Sequence, residues 1–109
     1  IDYIPLLIAT DEETENTICI KVSGDSMYPK IENGDIIVVH KQDSVDSGQI
    51  GVFLIDGEEG VVKKANYVYG EPWLELLSIN PEYMTRRFEG IDVERVKTLG
   101  LVKQVIKNI

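Results

Sequence analysis

One cysteine and one histidine are all that 109 residues offer of the two softest metal ligands. A lone Cys19 excludes an internal disulfide. Its setting, alternating with Ile18, Ile20 and Val22, suits a packed strand residue better than a reactive thiol. One histidine and one cysteine without ligand spacing make no metal site, and no glycine-rich phosphate loop is present, so neither metal nor cofactor is expected. No apolar run approaches the roughly 18 residues of a membrane span, and the start, IDYIPLLIATDEE, lacks the basic leader of a secretory signal. The expected location is the cytoplasm, with no membrane partner.

Positive charge is scarce as well. Lys and Arg number 11 against 19 Asp and Glu, a net charge of −8. Such a chain is repelled by nucleic acid, because sequence-independent affinity for DNA comes from Lys and Arg displacing counterions. Trp73 and the tyrosines are scattered and form no stacking platform for single strands. Any contact with DNA is therefore expected from outside this sequence. Its first residue, Ile1 in place of methionine, fits a fragment or processed product.

What remains is ordinary for a folded domain: 43% hydrophobic and 28% charged residues, in a length that buries one core. Residues 1–16, with the acidic run DEETEN, keep no period and read as an extended arm or loop. Residues 17–109 read as one domain. From Thr17 onward short Val- and Ile-rich runs alternate with turn-forming Gly, Asn, Asp and Pro about every ten residues, the texture of an all-β domain. Strands are expected near 17–23, 36–40, 49–55, 61–67, 73–77 and 96–106. Asn33–Gly34–Asp35, Asp56–Gly57 and Tyr69–Gly70–Glu71–Pro72 supply the turns. The only helical turn expected is a short one over Ser26 to Ile31, where Pro29 limits its regularity.

The segment KVSGDSMYPKIENGDIIVVH carries the chemistry. Gly24 permits a sharp change of direction that lifts Ser26 out of a strand with its hydroxyl exposed. A hydroxyl needs a base before it can attack. His40 would need a carboxylate partner that the sequence does not single out, and its bland reading is a strand-end histidine. Lys63 and Lys64 are the other candidates. Neighbours in a strand point to opposite faces, so one of the two can turn inward. With an ordinary pKa of about 10.4, under about one lysine in a thousand is neutral at pH 7. A fall of about three units, about 4 kcal/mol, is within what burial among residues such as Val61, Val62 and Met27 supplies. Periodicity does not choose: Val61 shares a face with Lys63, and Val62 with Lys64. The bland reading of either is a solvated strand lysine.

These residues resemble the LexA-like family, which includes phage repressors of the lambda type and the UmuD mutagenesis protein. The likeness runs through SGDSMYPKI, NGDIIVV, GQIGVFLIDGE, VVKK, LLSINPEY and LGLVKQVI, about residues 18 to 107. It implies an all-β LexA/signal-peptidase-like domain of short, mostly antiparallel strands, and a Ser–Lys peptidase. The nucleophile falls on Ser26 and the base on Lys63, a separation of 63 − 26 = 37 residues. Oxyanion donors fall on the backbone N–H groups of Asp25 and Ser26. The family reaction is cleavage of the protein's own chain at a small-residue bond, commonly Ala–Gly, well upstream of the serine. No Ala–Gly pair exists here, and Ala9–Thr10 stands too close to Ser26 to match.

The resemblance also implies a homodimer, which suits a palindromic operator read by a preceding DNA-binding domain. A RecA filament on single-stranded DNA is the implied inducer, with repression relieved as in SOS or prophage induction. LLSINPEY and LGLVKQVIKN are then fold and interface positions. Two other readings compete. A non-catalytic pairing domain would keep the fold without cutting. Type I signal peptidases share GDSMYP, but follow their lysine with an arginine and a Gly-x-Pro-Gly-Asp segment, where this chain reads KKANYVYGEPW.

Overall fold

The Val- and Ile-rich runs form strands whose turns are placed by residues that tolerate positive φ. A computed structural model describes residues 2–4 and 16–108. Its strands are β1 (Asp2–Ile4), β2 (Thr17–Lys21), β3 (Ile36–Lys41), β4 (Ile50–Ile55), β5 (Glu59–Asn66), β6 (Trp73–Leu77), β7 (Arg86–Glu89) and β8 (Val96–Ile106). A 3₁₀ helix, Gly90–Arg95, joins β7 to β8. One sheet in the order β1-β2-β3-β8-β4-β5-β6-β7 contains them all, every neighbouring pair antiparallel. The domain is all-β, and each of the six expected strands has its counterpart.

The β4–β5 hairpin turns at Asp56 and Gly57, both with positive φ, closed by the Glu58 N–H donating to the Ile55 carbonyl. That pair of positive φ values matches the right-handed strand twist. Of the expected arm, Asp2–Ile4 pairs with β2 at the sheet edge, while 5–15 lie outside the described residues. β7 is absent from the sequence expectation because RRFE is too short to show a period. Burial of Phe88 and the pairing of Arg86 and Arg87 with Glu59 and Glu75 hold it.

Residues 26–31 need correction: they form turns, with one helical bond from the Ile31 N–H to the Met27 carbonyl. Pro29 has no N–H for the Asp25 carbonyl, which accepts instead from the Tyr28 N–H and from Asn80.

The sheet bends so that both faces of β4 are covered. Val52 joins Ile20, Ile37, Val39, Met27 and Val62 in one cluster. Its neighbour Phe53 joins Ile55, Ala65, Leu76 and Phe88 in the other. Eleven-residue β8 makes the bend. Against β3 and β4 its register slips by one residue, near Lys103 and near Leu99, and each such bulge bends a strand. Gly100 sits between these slips, where a Cβ would lie 2.4 Å from the His40 carbonyl oxygen. Only glycine lets β3 approach so closely.

The C-terminal end is tied down by Asp35, which is 1% exposed. Its carboxylate accepts from the Glu32 and Asn108 N–H groups and from Lys107 Nζ. Chiefly the Lys107 bond, then the two backbone bonds, draw its pKa down from 3.8 to about 2. A depressed carboxylate contributes stability above its unfolded pKa and loses it as pH falls through the folded one. Asp35→Asn is thus expected to lower the urea midpoint at neutral pH, with the gap from wild type closing between about pH 4 and pH 2. A gap of equal size at both ends of that window would rule out the ion pair as its source.

Candidate active site

β2 ends at Lys21, and the chain then turns through Ser23, Gly24 and Asp25. Gly24 has φ +91°. A Cβ there would meet nothing within 4 Å, so the backbone angle, not lack of space, calls for glycine. The Gly24 N–H donates to Asn33 Oδ1 at 2.9 Å, fixing the bend. Ser26 follows, half-buried, ahead of a buried Met27.

The turn is gripped from the far end of the sheet by the segment after β6. The Asn80 N–H donates to the Ser26 carbonyl at 2.9 Å. Asn80 Nδ2 donates to the Asp25 carbonyl at 3.0 Å, and Asn80 Oδ1 accepts from the Glu82 N–H. The Tyr83 hydroxyl donates to Asp25 Oδ1, which holds the phenol protonated above its ordinary pKa. Asn80 is 8% exposed, so its amide is a structural pin.

The two lysines of VVKK separate as strand alternation requires. Lys63 is 8% exposed, and Lys64 lies on the surface. Lys63 faces Gly51 across the β4 ladder, which places no side chain beside it. Its amine donates to Ser78 Oγ at 2.8 Å and lies 5.7 Å from the centre of the Tyr83 ring. Burial first, then the Arg86 guanidinium, push its pKa below the ordinary 10.5, while Glu59 pulls the other way. Glu59 and Arg86 pair with each other at 2.7 Å, so their opposite effects on the amine largely offset and burial dominates.

Ser26 and Lys63 line the same cavity of about 140 Å³, with Val22, Met27 and Val62 among its apolar walls. They also share an adjoining cleft of about 290 Å³ that adds Tyr83, Met84 and Arg86. Lys64 borders a different groove of about 540 Å³ over β8, which contains neither Ser26 nor Lys63. The structure thus brings Ser26 and Lys63 to one concavity and leaves Lys64 out of it. His40 is exposed on β3, with Nδ1 2.9 Å from Gln42 Oε1, and borders neither space. Cys19 is buried in β2. Among the described residues no group of His, Cys, Asp and Glu could hold a metal ion, and no helix is long and apolar enough to cross a membrane.

Sequence reasoning missed Ser78, Asn80 and Tyr83, reading LLSINPEY as fold and interface positions. What places Ser78 is the register between strands, which the sequence does not display. β5 and β6 pair Asn66 with Glu75, Ala65 with Leu76 and Lys64 with Leu77. One step further along that ladder, Ser78 stands opposite Lys63.

The fold is an all-β domain in which a turn serine and a largely buried lysine border one cavity. The chain matches the family described as Peptidase S24-like over residues 1–103 and belongs to that family. It is similar to the LexA repressor of Clostridium botulinum (strain Hall), at 37% identity over 103 residues, 91% of this chain and 46% of that one. It is 33% identical to the LexA repressor of Thermotoga petrophila over 109 residues, 99% of this chain and 52% of the relative. The LexA repressor of Roseiflexus sp. (strain RS-1) is 28% identical over 107 residues, 97% of this chain and 47% of that one. The chain spans about half the length of these curated relatives.

A buried amine works against the fold. Because the folded chain releases the Lys63 proton at lower pH than the unfolded chain does, the penalty is full at neutral pH. It fades as pH rises towards 10.5. Lys63→Met, which keeps the length and removes the charge, is expected to raise stability at pH 7 by on the order of 1 kcal/mol. Urea midpoints measured at pH 7 and pH 10 check this, and the gain should shrink at the higher pH. A loss of stability at pH 7 would mean that the amine's hydrogen bond outweighs its burial.

Proposed function

We propose that this chain is the C-terminal domain of a transcriptional repressor that pairs two subunits and cleaves its own chain upstream of Ile1. In this reading Ser26 is the nucleophile and Lys63 the general base. The observation that carries it is the cavity bordered by both the Ser26 turn and the largely buried Lys63. Membership of the Peptidase S24-like family and the likeness to LexA repressors support it.

The neutral Lys63 amine takes the proton of the Ser26 hydroxyl as Oγ attacks the carbonyl carbon of the scissile bond. Negative charge then develops on the former carbonyl oxygen. The N–H groups of Asp25 and Ser26 are the proposed donors to it. Among the described residues neither donates elsewhere, while both residues' carbonyls are held by Asn80. As the tetrahedral intermediate collapses, the C–N bond breaks and the Lys63 ammonium returns its proton to the leaving amine. Water, deprotonated by the same lysine, then hydrolyses the ester on Ser26 and frees the hydroxyl.

With a net charge of −8, this domain leaves operator contact to a preceding DNA-binding domain, and cleavage separates the two in the cytoplasm. Pairing raises the effective concentration of the second DNA reader at a palindromic site, so loss of the pairing domain relieves repression. A RecA filament on single-stranded DNA is the proposed inducer.

The test is self-cleavage of the full-length protein. Wild type is expected to yield two fragments, faster as pH rises because a larger fraction of Lys63 is neutral. Ser26→Ala and Lys63→Ala should remain intact at every pH, and Lys64→Ala should cut like wild type. A wild type that stays whole at raised pH and with activated filament would leave only a pairing domain. Loss of cleavage in Lys64→Ala alone would move the base to that residue.

A further inference from the structure

We propose that Ser78 is a positioning residue for the base: its hydroxyl oxygen accepts a hydrogen bond from Lys63 and so orients the amine's lone pair towards Ser26. The inference rests on the Ser–Lys reading above and extends it to a residue just past the end of β6.

A neutral primary amine carries two N–H bonds and one lone pair at the end of a stem with four rotatable carbons. Burial lowers its pKa but does not decide where the lone pair points. A fixed acceptor does, because occupying one N–H leaves fewer rotations open to the other two positions. Ser78 Oγ is that acceptor, 2.8 Å from Nζ. Its place is set by the sheet, one step past the Lys64–Leu77 pair, where residues directly opposite each other in an antiparallel ladder bring their side chains together. Asn80, two residues on, is held to the Asp25 and Ser26 carbonyls. The short segment from Ser78 to Asn80 therefore touches the base at one end and the nucleophile turn at the other.

The other groups around the amine are committed elsewhere. Glu59, on the same strand, pairs with Arg86 of β7. Tyr83 presents its ring to the amine and gives its hydroxyl hydrogen to Asp25. Val61, two residues earlier on β5, offers no hydroxyl. Ser78 accepts from the amine both before proton transfer and after, when Lys63 is an ammonium. It passes no proton itself.

The experiment uses the full-length protein with Ser78→Ala and Ser78→Thr, following the self-cleavage rate from pH 7 to beyond the lysine titration. The Lys63 side-chain titration is followed by NMR in the same variants. Ser78→Ala is expected to lower the limiting rate at high pH by about 10- to 100-fold, the size of a misplaced reacting group. The loss should persist where the amine is fully neutral. It should also move the Lys63 titration to lower pH, since an accepting hydroxyl favours the charged amine. Ser78→Thr, which keeps the hydroxyl, should restore most of the rate and the wild-type titration. An unchanged limiting rate in Ser78→Ala overturns the proposal. So does a slow Ser78→Ala whose Lys63 titration is unmoved, or a Ser78→Thr as slow as the alanine variant, because either marks a packing effect. A wild type that never cleaves brings down the Ser–Lys reading and the positioning role together. That outcome is recognised by the parent protein itself remaining whole.

Discussion

A lysine can be largely buried only where the chain around it supplies apolar walls and an acceptor for its N–H. Lys63 meets that condition at the junction of two strands and a loop. β5 fixes its direction, the Gly51 position on β4 leaves it uncrowded, and Ser78 at the end of β6 takes its hydrogen bond. Valines and a methionine line the cavity that it shares with Ser26. The stability of the surrounding sheet is what holds a destabilising group in place, and the two-faced burial of β4 beside it provides that rigidity.

The segment from Ser78 to Tyr83 couples the two halves of the site. It leaves β6 beside Lys63, crosses to the Ser26 turn, and returns a phenol to the Asp25 carboxylate. Since Pro29 withholds the N–H that a helix would direct at the Asp25 carbonyl, the Asn80 amide finds an acceptor there. A residue that prevents a helix thereby creates a docking point for a distant loop. The Ser26 turn and the Lys63 strand are positioned by shared contacts: hydrogen bonds from this segment, and the packing of Met27 with Val62 in one buried cluster.

Charge is distributed so that the site's neighbours cancel. Arg86 pairs with Glu59, Arg87 with Glu75 and Glu89, and Arg95 with Asp56. These exposed pairs each contribute little to stability. Around Lys63 the paired charges oppose one another: Arg86 lowers the amine's pKa and Glu59 raises it, and burial is the larger cause.

Much of the fold is legible without coordinates, because strand alternation, β-branched runs and turn residues are local properties. Asp56–Gly57 and the run IIVVH fix a hairpin turn and a strand wherever they occur in a β context. The serine turn is equally local, since Gly24 and its neighbours carry the required backbone freedom. β7 was not legible, because four residues show no period and its strand character comes from Phe88 being buried and from charges on other strands. The choice between Lys63 and Lys64 could not follow from alternation, which makes the two equivalent. Only the register against β4 and β6 decides which amine enters the cavity, and a register is a relation between strands that no single stretch of sequence contains. For the same reason Ser78 and Asn80 read as ordinary loop residues until the sheet places one opposite the amine and the other against the serine turn.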